Sequence, residues 1–323
     1  MPLFELALQN LLSPMVLFFA LGLGLAAVRS DLSIPGDVVK LLVLYLMMSI
    51  GFRGGAELAH QGPSPALFNS LGAGLLLSFA TPFLAFALLR LATGLDRVNA
   101  ASISAHYGSI SAVTFVTALG ALTQLGIPYE GYMVAVAAVM ETPAIMSGLF
   151  LARRVSASGA RGQLLREILL NEAVVMLLGS FAIGAVTGQR GMTMLQPFLV
   201  QMFPGFLCLF LLDMGLLAGR GLREGWRLLS PAVIGFAVIM PLVGAGAATA
   251  LAPLTGLSLG GTAALIVLAA SASYIAVPAA MQLALPRANA AIPLTLSLGI
   301  TFPFNLVVGI PLYFALARWV AVL

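Results

Sequence analysis

The chain has 323 residues, of which 61% are hydrophobic and only 8% charged, and its mean hydropathy is +1.08. Soluble domains carry about 25% charged residues, so this composition excludes an ordinary soluble fold and points to an integral membrane protein. The formal charge of +4 does not imply nucleic acid, because Lys and Arg sit in short loops rather than on one face. A single Cys208 excludes an internal disulfide and a cysteine metal centre, and two histidines, His60 and His106, are too few and too far apart for a metal cluster.

Taken in order, the apolar stretches predict ten membrane helices of about 20 residues or more. They fall at 11–30, 38–59, 65–93, 97–121, 129–152, 170–188, 196–219, 229–252, 258–285 and 291–321. Residues 1–10 carry Glu5 and no Lys or Arg, so no cleavable signal peptide is expected. The only long polar connection, Arg153–Leu169, divides the chain into 1–152, the 153–169 loop and 170–323. An external N-terminus puts twelve of the fifteen basic residues in cytoplasmic loops, leaving Arg53, Arg190 and Arg318 outside. Both termini are then external, in a bacterial-type inner membrane.

The fourth span is unusual. No charged residue occurs from Val98 to Pro128, yet its middle holds Ser102, Ser104, His106, Tyr107, Gly108, Ser109, Ser111 and Thr114. A second such stretch, Ala270–Pro278, lies in an uncharged run from Leu228 to Pro286. Laying one on the other pairs Ser109 with Ser273 and Gly51 with Gly215 at an offset of 164, and Glu141 with Thr301 at 160. Five helices per half is an odd number, so the halves must be inverted relative to one another. The expected fold is therefore all-α, ten transmembrane helices in two inverted five-helix repeats, with broken helices four and nine. Pro278 is expected to break helix nine. The amides and dipoles freed at the two breaks would hold an anion without a cationic side chain. Gly22, Gly24, Gly244 and Gly246 are expected to let helices pack closely.

Two carboxylates fall inside the bilayer, Glu141 before Thr142-Pro143 and Asp213 in helix seven. Each is costly there unless paired or hydrated. Helices five and nine hold no basic residue, so a coupling cation is the better partner, with Thr301 and Asn305 of helix ten as neutral oxygen donors. Arg53 reads as an interfacial snorkelling residue, and His106 as a hydrogen-bonded helix residue rather than a proton relay. No phosphate loop, HExxH or nucleophile elbow occurs, so an enzyme is not expected.

These stretches are familiar as a set: Leu12–Phe18, Arg29–Pro35, Ile50–Gly55, Gly126–Glu130, Glu141–Ala144, and Ser258–Gly261 running into Ala269–Pro278. In this order the chain resembles the sodium-dependent bicarbonate transporter family of the SbtA type. The resemblance implies a gate and a mobile core moving as an elevator, a homotrimer in the lipid bilayer, and bicarbonate or a similar small anion held between two broken helices. Sodium would be the coupling ion, with no other cofactor or metal. Some members also bind a small cytoplasmic regulatory protein. Ser111, Ser271 and Ser273 fall on the family's serines, and Glu141 stands where well-known members have an aspartate. Tyr274 replaces an aspartate, Val113 a serine, and the Arg153–Leu169 loop is shorter. The expected anion set is Gly108, Ser109, Ser111, Thr114, Ser271, Ser273 and Tyr274; the expected sodium set is Glu141, Thr142, Asp213, Thr301 and Asn305. The alternative is a proton- or sodium-coupled carrier of another small organic anion, which in its proton-coupled form would use Glu141 and His106.

Overall fold

The computed structural model describes residues 12–62, 64–152, 172–225, 229–274, 277, 278, 280, 281 and 285–322. The 153–169 connection lies outside them. The described residues are helical and connecting segments, with no strand. Seven helices are long and apolar enough to cross a membrane, and two shorter apolar ones accompany them.

Serine followed by proline starts three of the helices. α1 (Pro14–Ala27), α3 (Pro65–Ala92) and α10 (Pro231–Leu251) are capped by Ser13, Ser64 and Ser230, whose hydroxyls accept from an amide in the first turn. Proline at the first helical position loses no bond, and its fixed φ suits the helix. α2 (Gly36–Gln61) begins directly after Pro35.

The expected fourth helix is two helices. α4 (Arg97–Gly108) ends where Ser109 turns extended, and α5 (Ala112–Gln124) restarts with Ser111 as its cap. The expected fifth helix is also divided, into α6 (Met133–Val139) and α7 (Glu141–Leu151). α8 (Glu172–Gln196) bends at Gly188, whose φ of 55° is open to glycine and costly to most residues. The chain thus stays helical through most of the expected gap between helices six and seven, and a π turn at Pro197–Gln201 leads into α9 (Phe203–Gly225). α11 (Leu259–Ala269) stops at Ala270, and helix resumes at 277 and 278. α12 (Ala291–Val320) runs through two π turns, Ser297–Thr301 and Asn305–Gly309.

α8 lies along α2 and α9 along α1, the two most extensive helix pairs in the fold. Glycine permits both. A Cβ on Gly51 would sit 2.3 Å from the Leu177 carbonyl oxygen, and one on Gly215 would sit 2.1 Å from that of Phe19. Of the four glycines expected to allow close packing, Gly22 and Gly244 do so, against the carbonyls of Leu212 and Ala269; nothing lies within 4 Å of Gly24 or Gly246. These four helices form a panel. Beside it, α4 packs between α3 and α7, while α10, α11 and α12 pack on one another. In the apolar 18-residue window of the span covering α4 and α5, 83% of residues are buried, against 33% for that of α3. The polar stretch is therefore central, and α3 leaves large apolar side chains exposed.

The basic loops gather at one end. Arg220 donates to the Leu32 carbonyl, Arg97 to that of Leu151, and the Asn289 amide donates to Asn99. At the other end the Glu130 carboxylate accepts from both the amide (2.7 Å) and the hydroxyl (3.0 Å) of Ser258, the cap of α11. Gly260 and Gly261 leave room for Pro128 and Glu130. The Gly126–Glu130 and Ser258–Gly261 motifs thus form one clasp.

Candidate functional site at the crossing of two broken helices

The two breaks meet. The Ser111 amide donates to Ser271 Oγ at 2.8 Å, and the Ser273 amide donates to the His106 carbonyl at 2.8 Å. His106 Nδ1 lies 2.8 Å from the Ser273 carbonyl, which only accepts, so Nδ1 carries the hydrogen. His106 is therefore a latch between the breaks. A small cavity lined by Ser102, His106, Pro278 and Met281 adjoins it on the side of the basic loops.

Serine caps the restart at α5: Ser111 Oγ accepts from the Thr114 amide. In the other break Ser273 Oγ accepts from the Val277 amide. Pro278 lies in helix beyond the break; the break itself is at Ala270–Tyr274, held open by the bonds to His106 and Ser111.

Hydroxyl hydrogens decide what the crossing can bind. Ser271 spends its hydrogen on the Leu268 carbonyl at 2.8 Å, and Ser109 spends its own on Glu141 Oε2 at 2.6 Å. Ser111 Oγ accepts from both the amide and the hydroxyl of Thr114, so its own hydrogen is uncommitted among the described residues. Tyr274 lies beside Ser111, but the two do not meet the geometry of a hydrogen bond; the Tyr274 hydroxyl is buried and has no partner among the described residues. A buried hydroxyl without a partner is costly. Together with the first-turn amides of α5, these two hydroxyls form a neutral donor group. Gly108 lets the α4 terminus approach Pro82 of α3, where a Cβ would meet the ring at 2.3 Å.

The cation candidates divide. Glu141 is buried at the start of α7, beside the carbonyl end of α4 where Ser109 reaches it, and Thr142 follows half-buried. The negative end of a helix dipole and a carboxylate both attract a cation. Thr301 and Asn305 of α12 are both hydrogen-bonded. Thr301 donates to the Ala237 carbonyl and receives the Tyr107 hydroxyl, each at 2.7 Å; Asn305 donates to the Ala270 carbonyl at 2.9 Å and accepts from Tyr313 at 2.7 Å. Asp213 is buried in α9, where the charge of Arg220 acts on it, and among the described residues no hydrogen bond joins it to the Glu141 group. Tyr313 was not anticipated, since nothing in the sequence beyond its spacing of eight from Asn305 marks it.

These features define a multi-pass helical membrane transporter, with a polar site where two interrupted helices cross. The chain belongs to the Na+-dependent bicarbonate transporter superfamily, whose family model matches residues 14–318. Among curated proteins nothing matches the chain.

Proposed function

We propose that the protein imports bicarbonate together with sodium, the anion at the Ser111–Tyr274 crossing and the cation beside Glu141. The observation that carries this reading is that, among the described residues, the hydroxyl hydrogens of Ser111, the cap of α5, and of neighbouring Tyr274 have no acceptor. Bicarbonate oxygens would accept these hydrogens and the helix amides, while sodium, which favours oxygen ligands, would sit with Glu141, Ser109 and Thr142. Ser273, whose hydroxyl accepts from the Val277 amide and donates to none of the described residues, would complete the anion's surroundings.

The ten-helix inverted repeat is part of the proposal. It is supported by the exchange of partners, the second helix of each half lying on the first helix of the other, with Gly51 and Gly215 at the two contacts. The division at 153–169 follows from it. In this reading the panel of α1, α2, α8 and α9 is the gate, and the remaining helices are the core that moves as an elevator. The clustering of Arg97, Arg220 and the 286–290 turn at one end supports a cytoplasmic face there, with external termini.

Tyr274→Phe tests the anion site cleanly. The lost hydroxyl has no protein partner, so folding stability should hold or rise slightly. A hydrogen bond to a charged ligand is worth about 1.5–3 kcal/mol, so bicarbonate affinity should fall roughly tenfold to a hundredfold. Unchanged affinity for labelled bicarbonate would remove Tyr274 from the site.

A further inference from the structure

Resting on the sodium–bicarbonate reading, we infer that the second half of the fold is closed to cations by its own hydrogen bonds, so that one sodium accompanies each bicarbonate and a full transport cycle moves no net charge. In an inverted repeat each half brings a helix carbonyl end to the centre, and each such end attracts a cation. In the first half that end faces Glu141 and Ser109, joined at 2.6 Å. In the second half the matching carbonyl end is that of α11, and its Ala270 oxygen already accepts the side-chain amide of Asn305 at 2.9 Å. The amide hydrogen, with its partial positive charge, stands where a second cation would be drawn.

The surrounding oxygens are hydrogen-bonded as well. Asn305 Oδ1 accepts from Tyr313, Thr301 donates to the Ala237 carbonyl and accepts from Tyr107, and Ser271 donates to Leu268 and accepts from the Ser111 amide. Asn305, Thr301 and Ser271 are each buried to within 1% of completely. A cation here would have to compete with six protein hydrogen bonds. It would also find no countercharge on α10, α11 or α12, since no Asp or Glu follows Glu224 in the sequence. An unpaired charge at that depth is strongly disfavoured. The Thr301 and Asn305 network is therefore a neutral replacement for a second ion.

The test uses the purified full chain in proteoliposomes, with labelled bicarbonate, a fixed inward sodium gradient, and the membrane potential clamped at zero or about 100 mV, inside negative. One sodium per bicarbonate predicts a sodium activation curve with a Hill coefficient of one and the same final accumulation at both potentials. Two sodium ions per bicarbonate would raise accumulation about fifty-fold at the negative potential and give a Hill coefficient approaching two; either result overturns the inference while leaving sodium coupling intact. Uptake that ignores sodium altogether would overturn the underlying reading and this inference with it.

Discussion

Replacing Glu141 by Gln keeps the shape of the side chain and removes its charge, and with it the only carboxylate at the crossing. The account predicts a large loss of apparent sodium affinity, with bicarbonate affinity falling only through its coupling to sodium, so that high sodium partly restores transport. Linkage requires the converse, that bicarbonate tightens sodium binding by the same factor. Ser109→Ala should act in the same direction and more weakly, because it removes one hydrogen bond from the carboxylate rather than the charge. Sodium titrations of uptake separate the two; equal sodium affinity in parent and Glu141→Gln proteins contradicts the assignment. A second residue-scale prediction concerns Asp96, the cap of α4. Its partial burial works to raise its pKa, but the amides of Val98 and Asn99 and the Asn99 side chain outweigh that and hold the carboxyl below the usual range. A depressed carboxylate stabilises the fold above its unfolded pKa of about 4, and that contribution fades as pH falls through the lower folded value. Asp96→Ala should cost about 0.5–2 kcal/mol at neutral pH and progressively less as pH falls through the folded-state value, read from melting curves in detergent. The sequence already marked Ser111, Ser273 and Glu141, because hydroxyls and carboxylates in uncharged runs are conspicuous. It did not reveal which hydroxyls keep their hydrogens, since that depends on partners such as Leu268 and Thr114 that only the fold supplies.

At the scale of helices, the two close pairs rest on bare glycine surfaces. Gly51→Val and Gly215→Val would each drive a side chain into a neighbouring carbonyl, at 2.3 and 2.1 Å for the Cβ alone. Overpacking of this kind costs about 1–3 kcal/mol, and both variants should melt lower in detergent. Gly24→Val meets open space and should melt like the parent, so a matching loss at Gly24 would mean that valine, not the contact, is responsible. The starts of α1, α3 and α10 were legible because Ser-Pro is a local signal that needs no tertiary partner. The division of α6 from α7 was not, because Glu141 and its neighbours carry no strong breaker before Pro143, and the bend is held by contacts such as Ser78 on the Met140 carbonyl. The second break lies in the stretch expected for it, a few residues before Pro278, and the chain there bonds to His106 and Ser111, partners the sequence alone does not reveal.

For the molecule as a whole, the proposed ten-helix inverted repeat leads to a topology prediction. A reporter fused after Leu323 should be external and a tag within 156–162 cytoplasmic; an internal C-terminus would contradict ten helices in two inverted halves. The aromatic contacts suit a panel and a core that meet at the site: Phe302 packs edge-on against both Phe19 of α1 and Tyr274 at the break, at 5.2 and 5.7 Å between ring centres. In the proposed elevator, movement of the core past the panel would break the first contact and could keep the second. The claim on which everything else depends is that sodium drives bicarbonate through this crossing. The most direct measurement is labelled bicarbonate uptake into proteoliposomes under a sodium gradient without a proton gradient, and then under a proton gradient without sodium. The account predicts accumulation in the first condition, abolished when the sodium gradient is collapsed, and none in the second. Accumulation that follows the proton gradient and is indifferent to sodium would contradict it.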